Sequence, residues 1–194
     1  PILKIIGLSK QFGGITATNN IDLNITDGEI HAVIGPNGAG KTTLISQLSG
    51  DLQADAGTIV FQGNLINNMS SNKRSLLGIA RTFQITSLML DMSTLENVML
   101  AVQAHSGHSY CFWQDARQDD QLVEPAVKVL KQVGLLERKN IITRELSHGE
   151  HRQLEIAMAL ATQPKLLLLA EPLAGMGAED TPKLIAILKK LKTG

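Results

Sequence analysis

One short segment, residues 35–42, constrains this chain more than any other part of its sequence. It reads GPNGAGKT and matches the pattern G-x-x-x-x-G-K-[ST] at every specified position. Glycine lets the backbone wrap around an anion with its N–H groups pointing inward. A helix beginning near Lys41 would present further free N–H groups to the same charge. Average residue usage gives a chance match in about one chain in a hundred of this length. The segment therefore predicts a phosphate-binding loop between a strand and a helix.

The chemistry of this loop assigns a role to two of its side chains. Lys41 is expected to reach the β- and γ-phosphates of a nucleotide, and Thr42 to bind Mg²⁺ through its hydroxyl. The residues expected to contact the nucleotide phosphates are Gly35, Pro36, Asn37, Gly38, Ala39, Gly40, Lys41, Thr42 and Thr43.

The first part of the chain combines strand-like stretches with a strand–loop–helix unit. Strands are predicted at residues 3–8, 21–25, 30–34 and 57–61, and a helix at residues 41–48. Turn signals between the early strands favour hairpins. We therefore predict a mixed sheet with an N-terminal antiparallel β part, not a purely parallel sheet.

The middle of the chain has a helical pattern. Apolar residues recur at helical spacing between residues 94 and 162, and no convincing strand occurs there. The apolar run at residues 166–169 predicts a strand buried on both faces, and residues 181–191 predict a closing helix. The chain thus reads as an α/β core interrupted by an inserted helical subdomain. Its predicted parts are residues 1–88 and 162–194 for the core and 89–161 for the subdomain.

Composition disfavours some classes of function. Lys plus Arg and Asp plus Glu both number 18, so the formal net charge is zero. A protein that binds nucleic acid by charge usually has a basic excess, so we expect no nucleic-acid partner. The apolar runs are much shorter than the roughly 20 residues that span a bilayer. Any role at a membrane is therefore expected to depend on a partner.

Two further patterns lie in the second half of the chain. Residues 146–150, LSHGE, open a helix, and Ser147 with Glu150 fits a capping box, which by itself indicates only a well-capped helix start. Glu171 follows the apolar run at residues 166–169. Phosphate-loop enzymes have their catalytic carboxylates at the end of a buried strand, which is the position predicted for Glu171.

In this order, the motifs resemble those of the ATP-binding subunits of ABC transporters, across nearly the whole chain. That resemblance implies a P-loop NTPase core with ATP and Mg²⁺ as ligands. Within the family, the chain looks most similar to subunits that serve branched-chain amino acid uptake. The supporting segments are FGG at residues 12–14, GIARTFQ at 78–84, MSTLENV at 92–98 and QLEIAMAL at 153–160.

The resemblance implies roles for individual residues. Phe12 takes the place of an aromatic that stacks on adenine, although a core Phe at a strand end would look the same in sequence. Gln84 matches the Gln that touches Mg²⁺ or the attacking water, and its alternative is an ordinary surface Gln. Ser147 and Gly149 match the signature that closes over ATP held by a second subunit. Glu171 matches the general base, with a buried structural carboxylate as the alternative.

The chain also departs from the family pattern. Ala170 stands where the family has the Asp that helps to hold Mg²⁺, so nucleotide binding is expected to survive while hydrolysis is slowed. His148 and Glu150 occupy positions that are commonly Gly and Gln in the family signature. Gly177 stands near the position where the family often has an Asp that bridges the two subunits. The family's switch His follows one more strand, so it and the last strands are expected to lie outside this sequence.

The sequence thus predicts the ATPase motor of an ABC importer. Its resemblance to the branched-chain subfamily is the one indication of the transported solute. The expected partners are integral-membrane permease subunits, a second ATP-binding subunit and, indirectly, an extracytoplasmic solute-binding protein, with the chain at the cytoplasmic face of the membrane. Two alternatives stay open. One is a hydrolysis-deficient ATP-binding regulatory module, favoured by Ala170. The other is a soluble ABC ATPase acting on DNA or ribosomes, which the neutral charge and the single ATPase copy disfavour.

Overall fold

The computed structural model describes four stretches, residues 1–82, 88–106, 119–174 and 176–192. The chain divides into two compact units, with the boundary between Ile79 and Ala80.

The first unit is built on an antiparallel sheet. Its strands are β1 (Leu3–Phe12), β2 (Ile15–Ile25), β3 (Ala56–Phe61) and β4 (Asn64–Leu65), in the spatial order β2-β1-β3-β4, and its helices are α1 (Lys41–Ser49) and α2 (Ser71–Leu76). Each neighbouring pair of strands is antiparallel, so the predicted antiparallel β part is confirmed. Gly13 has a φ of 58° at the turn between β1 and β2. Glycine reaches this left-handed conformation without steric cost, which permits the two-residue hairpin.

Side chains at the start of β1 alternate between the core and the surface, as the pleat of a strand requires, and the register shift between Ile5 and Leu8 then interrupts the alternation. Leu3, Ile5 and Leu8 are buried, as are Ile59 and Phe61 of β3. Helix α1 adds Leu44 and Leu48 to the buried apolar residues of this unit.

The strand predicted at residues 30–34 is wrong. Residues 29–36 belong to no helix or strand, and the side chains of Ile30, Val33 and Ile34 are 54%, 44% and 92% exposed. An apolar run favours a strand only where a neighbouring strand takes up its backbone hydrogen bonds. No described residue of the first unit pairs with this segment.

The second unit is mainly helical. Its helices are α3 (Thr94–Ser106), α4 (Asp120–Gln132), α5 (His148–Ala161) and α6 (Asp180–Lys192). Two short strands form a second sheet, β5 (Ile79–Arg81), which begins at the boundary between the units, and β6 (Leu166–Leu168). Beyond β5, the backbone N–H of Thr82 donates to the carbonyl of Leu168 at 3.0 Å. The predicted helical middle and the closing helix are confirmed.

The apolar faces of these helices form one core. Val98 of α3, Leu130 of α4, Leu154 of α5 and Leu184 of α6 are all fully buried in it. The run at residues 166–169 is less buried than predicted, because only Leu168 of the strand is fully covered. Within the described stretches β6 pairs with β5 alone, so it lacks the second flanking strand of a sheet interior. None of the described helices is long and apolar enough to cross a bilayer.

Candidate functional site

Helix α1 begins with backbone donors that no side chain of the helix satisfies. Gly40 is its N-cap, with a φ of 85°, and the first turn has neither a side-chain cap nor an acidic residue. By contrast, the Asp119 side chain caps α4 and Ser147 caps α5. The first N–H groups of a helix need an acceptor, and the positive end of its dipole favours an anion. The N-terminus of α1 is therefore suited to a phosphate group.

Gly40 is required at this point of the loop for two reasons. Its positive φ strains any residue with a Cβ. A Cβ at this position would also overlap the carbonyl oxygen of Ala17 on β2. A second contact joins the same elements, since the Thr18 hydroxyl lies 3.1 Å from Gln47 Oε1 of α1 and donates to it. The loop is thus fixed against β2.

The side chain of Lys41 folds back onto the start of the phosphate loop. Its Nζ donates to the carbonyl oxygens of Gly35 at 2.6 Å and Pro36 at 2.8 Å. Thr42 is exposed beside it, and Thr43 is half-buried. The ammonium group is therefore held against the first two residues of the phosphate loop.

Phe12 lies at the tip of the β1–β2 hairpin, opposite Ile15. Its side chain is 49% exposed, so the alternative of a core Phe is wrong. Ala17, which touches the phosphate loop, follows Ile15 by two residues, about 7 Å along the strand. The hairpin thus places an open aromatic ring and the phosphate loop at the same end of β2.

The signature segment forms a complete capping box at the start of α5. Glu150 N donates to Ser147 Oγ at 3.2 Å, and Ser147 N donates to Glu150 Oε2 at 2.8 Å. Arg138 Nε donates to the other oxygen of the carboxylate at 2.8 Å. Burial raises the pKa of Glu150, but the hydrogen bonds from the Ser147 backbone and from Arg138 outweigh it and lower the pKa overall. The predicted capping box is confirmed.

Gly149 is fully buried because the start of α6 lies against it. A Cβ at Gly149 would overlap the carboxylate of Asp180. The sequence contained no signal for this contact, since an Asp in a first helical turn is explained by the helix dipole alone. A residue with a Cβ at position 149 would force the Asp180 side chain to move.

Glu171 has an unusual backbone. Its φ is 46°, in the left-handed region, and its carbonyl accepts from Ala174 N at 3.0 Å. A non-glycine residue in this conformation costs roughly 1–2 kcal/mol, and such strain is concentrated at functional sites. Its side chain is exposed, so the alternative of a buried structural carboxylate is wrong. Ala170 beside it is 7% exposed. Gln84 lies outside the described residues.

Known proteins share this sequence and fold. Residues 18–174 match the model of the family described as ABC transporter. The chain is 35% identical over its full length to the high-affinity branched-chain amino acid transport ATP-binding protein BraF of Pseudomonas aeruginosa, of which it covers 78%. It is 34% identical over 99% of its length to the corresponding protein LivG of Escherichia coli, covering 77% of that protein.

Solved structures agree with the sequence relatives. A nucleotide-free ATP-binding cassette from an ABC transporter superposes with a TM-score of 0.85 at 30% identity, over 99% of this chain and 77% of that one. The ADP conformation of an ABC transporter cassette gives a TM-score of 0.86 at 29% identity and the same coverage. The chain therefore belongs to the ABC transporter family, as an ATP-binding subunit for which ATP hydrolysis coupled to transport is the expected activity.

Proposed function

We propose that the first unit binds ATP with its phosphates on residues 35–43 and its adenine on Phe12. The observation that carries this proposal is the N-terminus of α1, which has no side-chain cap and follows a loop that also holds the ammonium group of Lys41. The exposed ring of Phe12 lies at the same end of β2. One ligand with an anionic end and an aromatic end fits both features.

Binding then proceeds by an exchange of hydrogen bonds. Lys41 Nζ leaves the carbonyls of Gly35 and Pro36 and donates to the β- and γ-phosphates. Charge-assisted hydrogen bonds to phosphate are stronger than those to a neutral carbonyl. The N–H groups of the first turn of α1 take up the remaining negative charge. Lys41 thus exchanges two hydrogen bonds to neutral carbonyls for stronger ones to charged phosphates.

The Thr42 hydroxyl is the ligand that α1 offers to Mg²⁺. Among the described residues there is no group of three or more His, Cys, Asp or Glu that could hold a metal ion. A hard cation at this site would thus take most of its oxygen ligands from the nucleotide and from water, as Mg²⁺ at phosphate sites does. Bound Mg²⁺ supplies charge neutralisation to the phosphates.

Hydrolysis is assigned to residues that the family resemblance identifies. Glu171 acts as the general base that orients water, and its exposed, strained position supports that role. Gln84 contacts Mg²⁺ or the attacking water. Ser147 and Gly149 meet the ATP held by a second ATP-binding subunit.

Ala170 makes this hydrolysis slow. Its methyl group cannot accept hydrogen bonds from metal-bound water, whereas the carboxylate of an Asp can. We expect ATP binding to persist and Ala170→Asp to raise the rate of ATP turnover. Because Ala170 is buried, the new carboxylate also lowers thermal stability without ligand, and MgATP restores part of it. A folded variant with unchanged turnover would refute the role of Ala170.

The transport role follows from the relatives named above. We propose that the chain drives a permease for branched-chain amino acid import at the cytoplasmic face of the membrane, with an extracytoplasmic solute-binding protein as an indirect partner. Purification of the complex from native membranes in mild detergent, followed by mass spectrometry, tests this. Permease subunits and a homologous ATPase are expected, and the reconstituted complex should import labelled leucine with wild-type protein but not with Lys41→Gln. Recovery of ribosomal or DNA-repair proteins without any permease would contradict it.

A further inference from the structure

The ring of Phe12 is in contact with a cation on one side. Lys10 Nζ lies 5.6 Å from the ring centroid, within the range of about 6 Å at which a cation interacts with an aromatic face. The Lys10 side chain is only 15% exposed, so its position is well defined by its surroundings. One face of the ring is thus covered, although the residue as a whole is 49% exposed.

Asp55 holds the chain that leads to this ring. Its Oδ1 accepts from Lys10 Nζ at 2.6 Å, and its Oδ2 accepts from the backbone N–H of Gln11 at 2.8 Å. Its own backbone N–H donates to the carbonyl of Ser9 at 2.9 Å. The hydrogen bonds from Lys10 and from Gln11 lower the pKa of Asp55. One residue therefore binds the three positions that precede Phe12.

The hydrogen bonds of Asp55 take the place of those that a neighbouring strand would make with the end of β1. The ladder between β1 and β3 ends at the pair Ser9 and Ala56, so the last residues of β1 have only β2 beside them. The pairing with β2 is itself irregular here, with register shifts between Leu8 and Gln11. A two-stranded end is only marginally ordered in water. Without Asp55, the tip that carries the ring would have little to fix its orientation.

We propose that Lys10 and Asp55 are positioning residues for the nucleotide base, holding the Phe12 ring so that one face lies under Lys10 and the other receives adenine. This inference rests on the proposed ATP site. It adds to that site a pair of residues that act on the base through the ring of Phe12. Their effect is confined to the base, because the phosphate contacts are made by residues 35–43.

A comparison of two ligands isolates the effect. Titration calorimetry measures the Kd of MgATP and of magnesium tripolyphosphate, which has the phosphates but no base, for the full chain. Lys10→Met keeps the aliphatic stem and removes the cation, and Asp55→Asn leaves at most one of its two acceptor contacts. Stacking on an aromatic ring contributes to the binding of a base, so its partial loss should weaken ATP binding about five- to tenfold. Tripolyphosphate binding should stay unchanged.

Matched variants make the result decisive. Lys4→Met removes an exposed lysine from the same strand and should leave both affinities unchanged. In a Phe12→Ala background, Lys10→Met should have no further effect on ATP, because the ring through which it acts is gone. Wild-type ATP affinity in Lys10→Met and Asp55→Asn, or equal losses for ATP and tripolyphosphate, would overturn the inference. If the wild-type chain binds neither ligand, the proposed ATP site fails instead.

Discussion

A buried arginine anchors helix α1, whose N-terminus belongs to the proposed phosphate site. Arg74 of α2 is 1% exposed, and its guanidinium donates to Gln47 O at 2.6 Å and Leu48 O at 2.9 Å in the last turn of α1. It also donates to Met69 O and Asn67 O, each at 3.0 Å. Burial lowers the pKa of Arg74, and the charge of Asp51 opposes this shift. Arg74 therefore satisfies helix-end carbonyls that have no partner within α1.

The loss of stability on removing the Arg74 guanidinium follows from these hydrogen bonds. Arg74→Met keeps much of the side-chain volume but leaves the carbonyls of Gln47 and Leu48 buried without a donor. Each unsatisfied buried acceptor costs about 1–3 kcal/mol, and removing the desolvated charge returns part of that. We expect Arg74→Met to lower the free energy of unfolding by about 3 kcal/mol. Lys73→Met, an exposed lysine on the same helix, should change it by less than about 0.5 kcal/mol.

Two measurements check this expectation. Urea unfolding followed by circular dichroism gives the overall change, and hydrogen exchange with mass spectrometry localises it to residues 41–49. Faster exchange in α1 is expected for Arg74→Met but not for Lys73→Met. If the two variants have the same stability and the same exchange in α1, the reasoning about the buried guanidinium is refuted.

Three further predictions concern the start of α5. Ser147→Ala removes the N-cap and should destabilise the second unit by about 1 kcal/mol in urea unfolding, whereas Ser147→Asp, which retains an acceptor, should cost less. Gly149→Ala should cost about 1–3 kcal/mol through overlap with Asp180. Asp180→Ala removes the overlapping carboxylate but keeps the Cβ, 3.0 Å from the added methyl group, so it should remove most of that cost; a cost that persists in full would contradict the steric explanation. The folded-state pKa of Glu150 is lowered, so its stabilisation is present above the unfolded pKa and is lost as pH falls through the folded value. As the pH is lowered below about 4.3, the ordinary pKa of a Glu, the melting temperature of Glu150→Gln should accordingly decrease less than that of the wild type.

Much of the fold could be predicted because its signals are local. The helical period placed α3, α4, α5 and α6, and the capping box of α5 needs only residues three apart. The phosphate loop was predicted from eight consecutive residues, and the structure adds that the helix after it starts without a side-chain cap, which suits it to an anion.

The remaining features depend on contacts between distant residues. β1 and β2 extend further than predicted, through polar positions such as Lys10 and Asn20, because a hairpin end needs no alternating apolar pattern. Arg74 has no local sign of burial, since its acceptors lie up to 27 residues earlier. Residues 30–34 had the apolar pattern of a strand, but pattern alone does not supply a paired neighbour.

The central claim, that α1 and its loop bind ATP, is tested most directly by titrating the chain with MgATP. Calorimetry should show one nucleotide per chain for wild type, and Lys41→Gln should weaken binding about ten- to a hundredfold, since hydrogen bonds to charged groups contribute about 1.5–3 kcal/mol. Lys4→Met serves as the matched control and should bind as wild type does. Saturable binding that Lys41→Gln leaves unchanged, or no binding by wild type, would contradict the account.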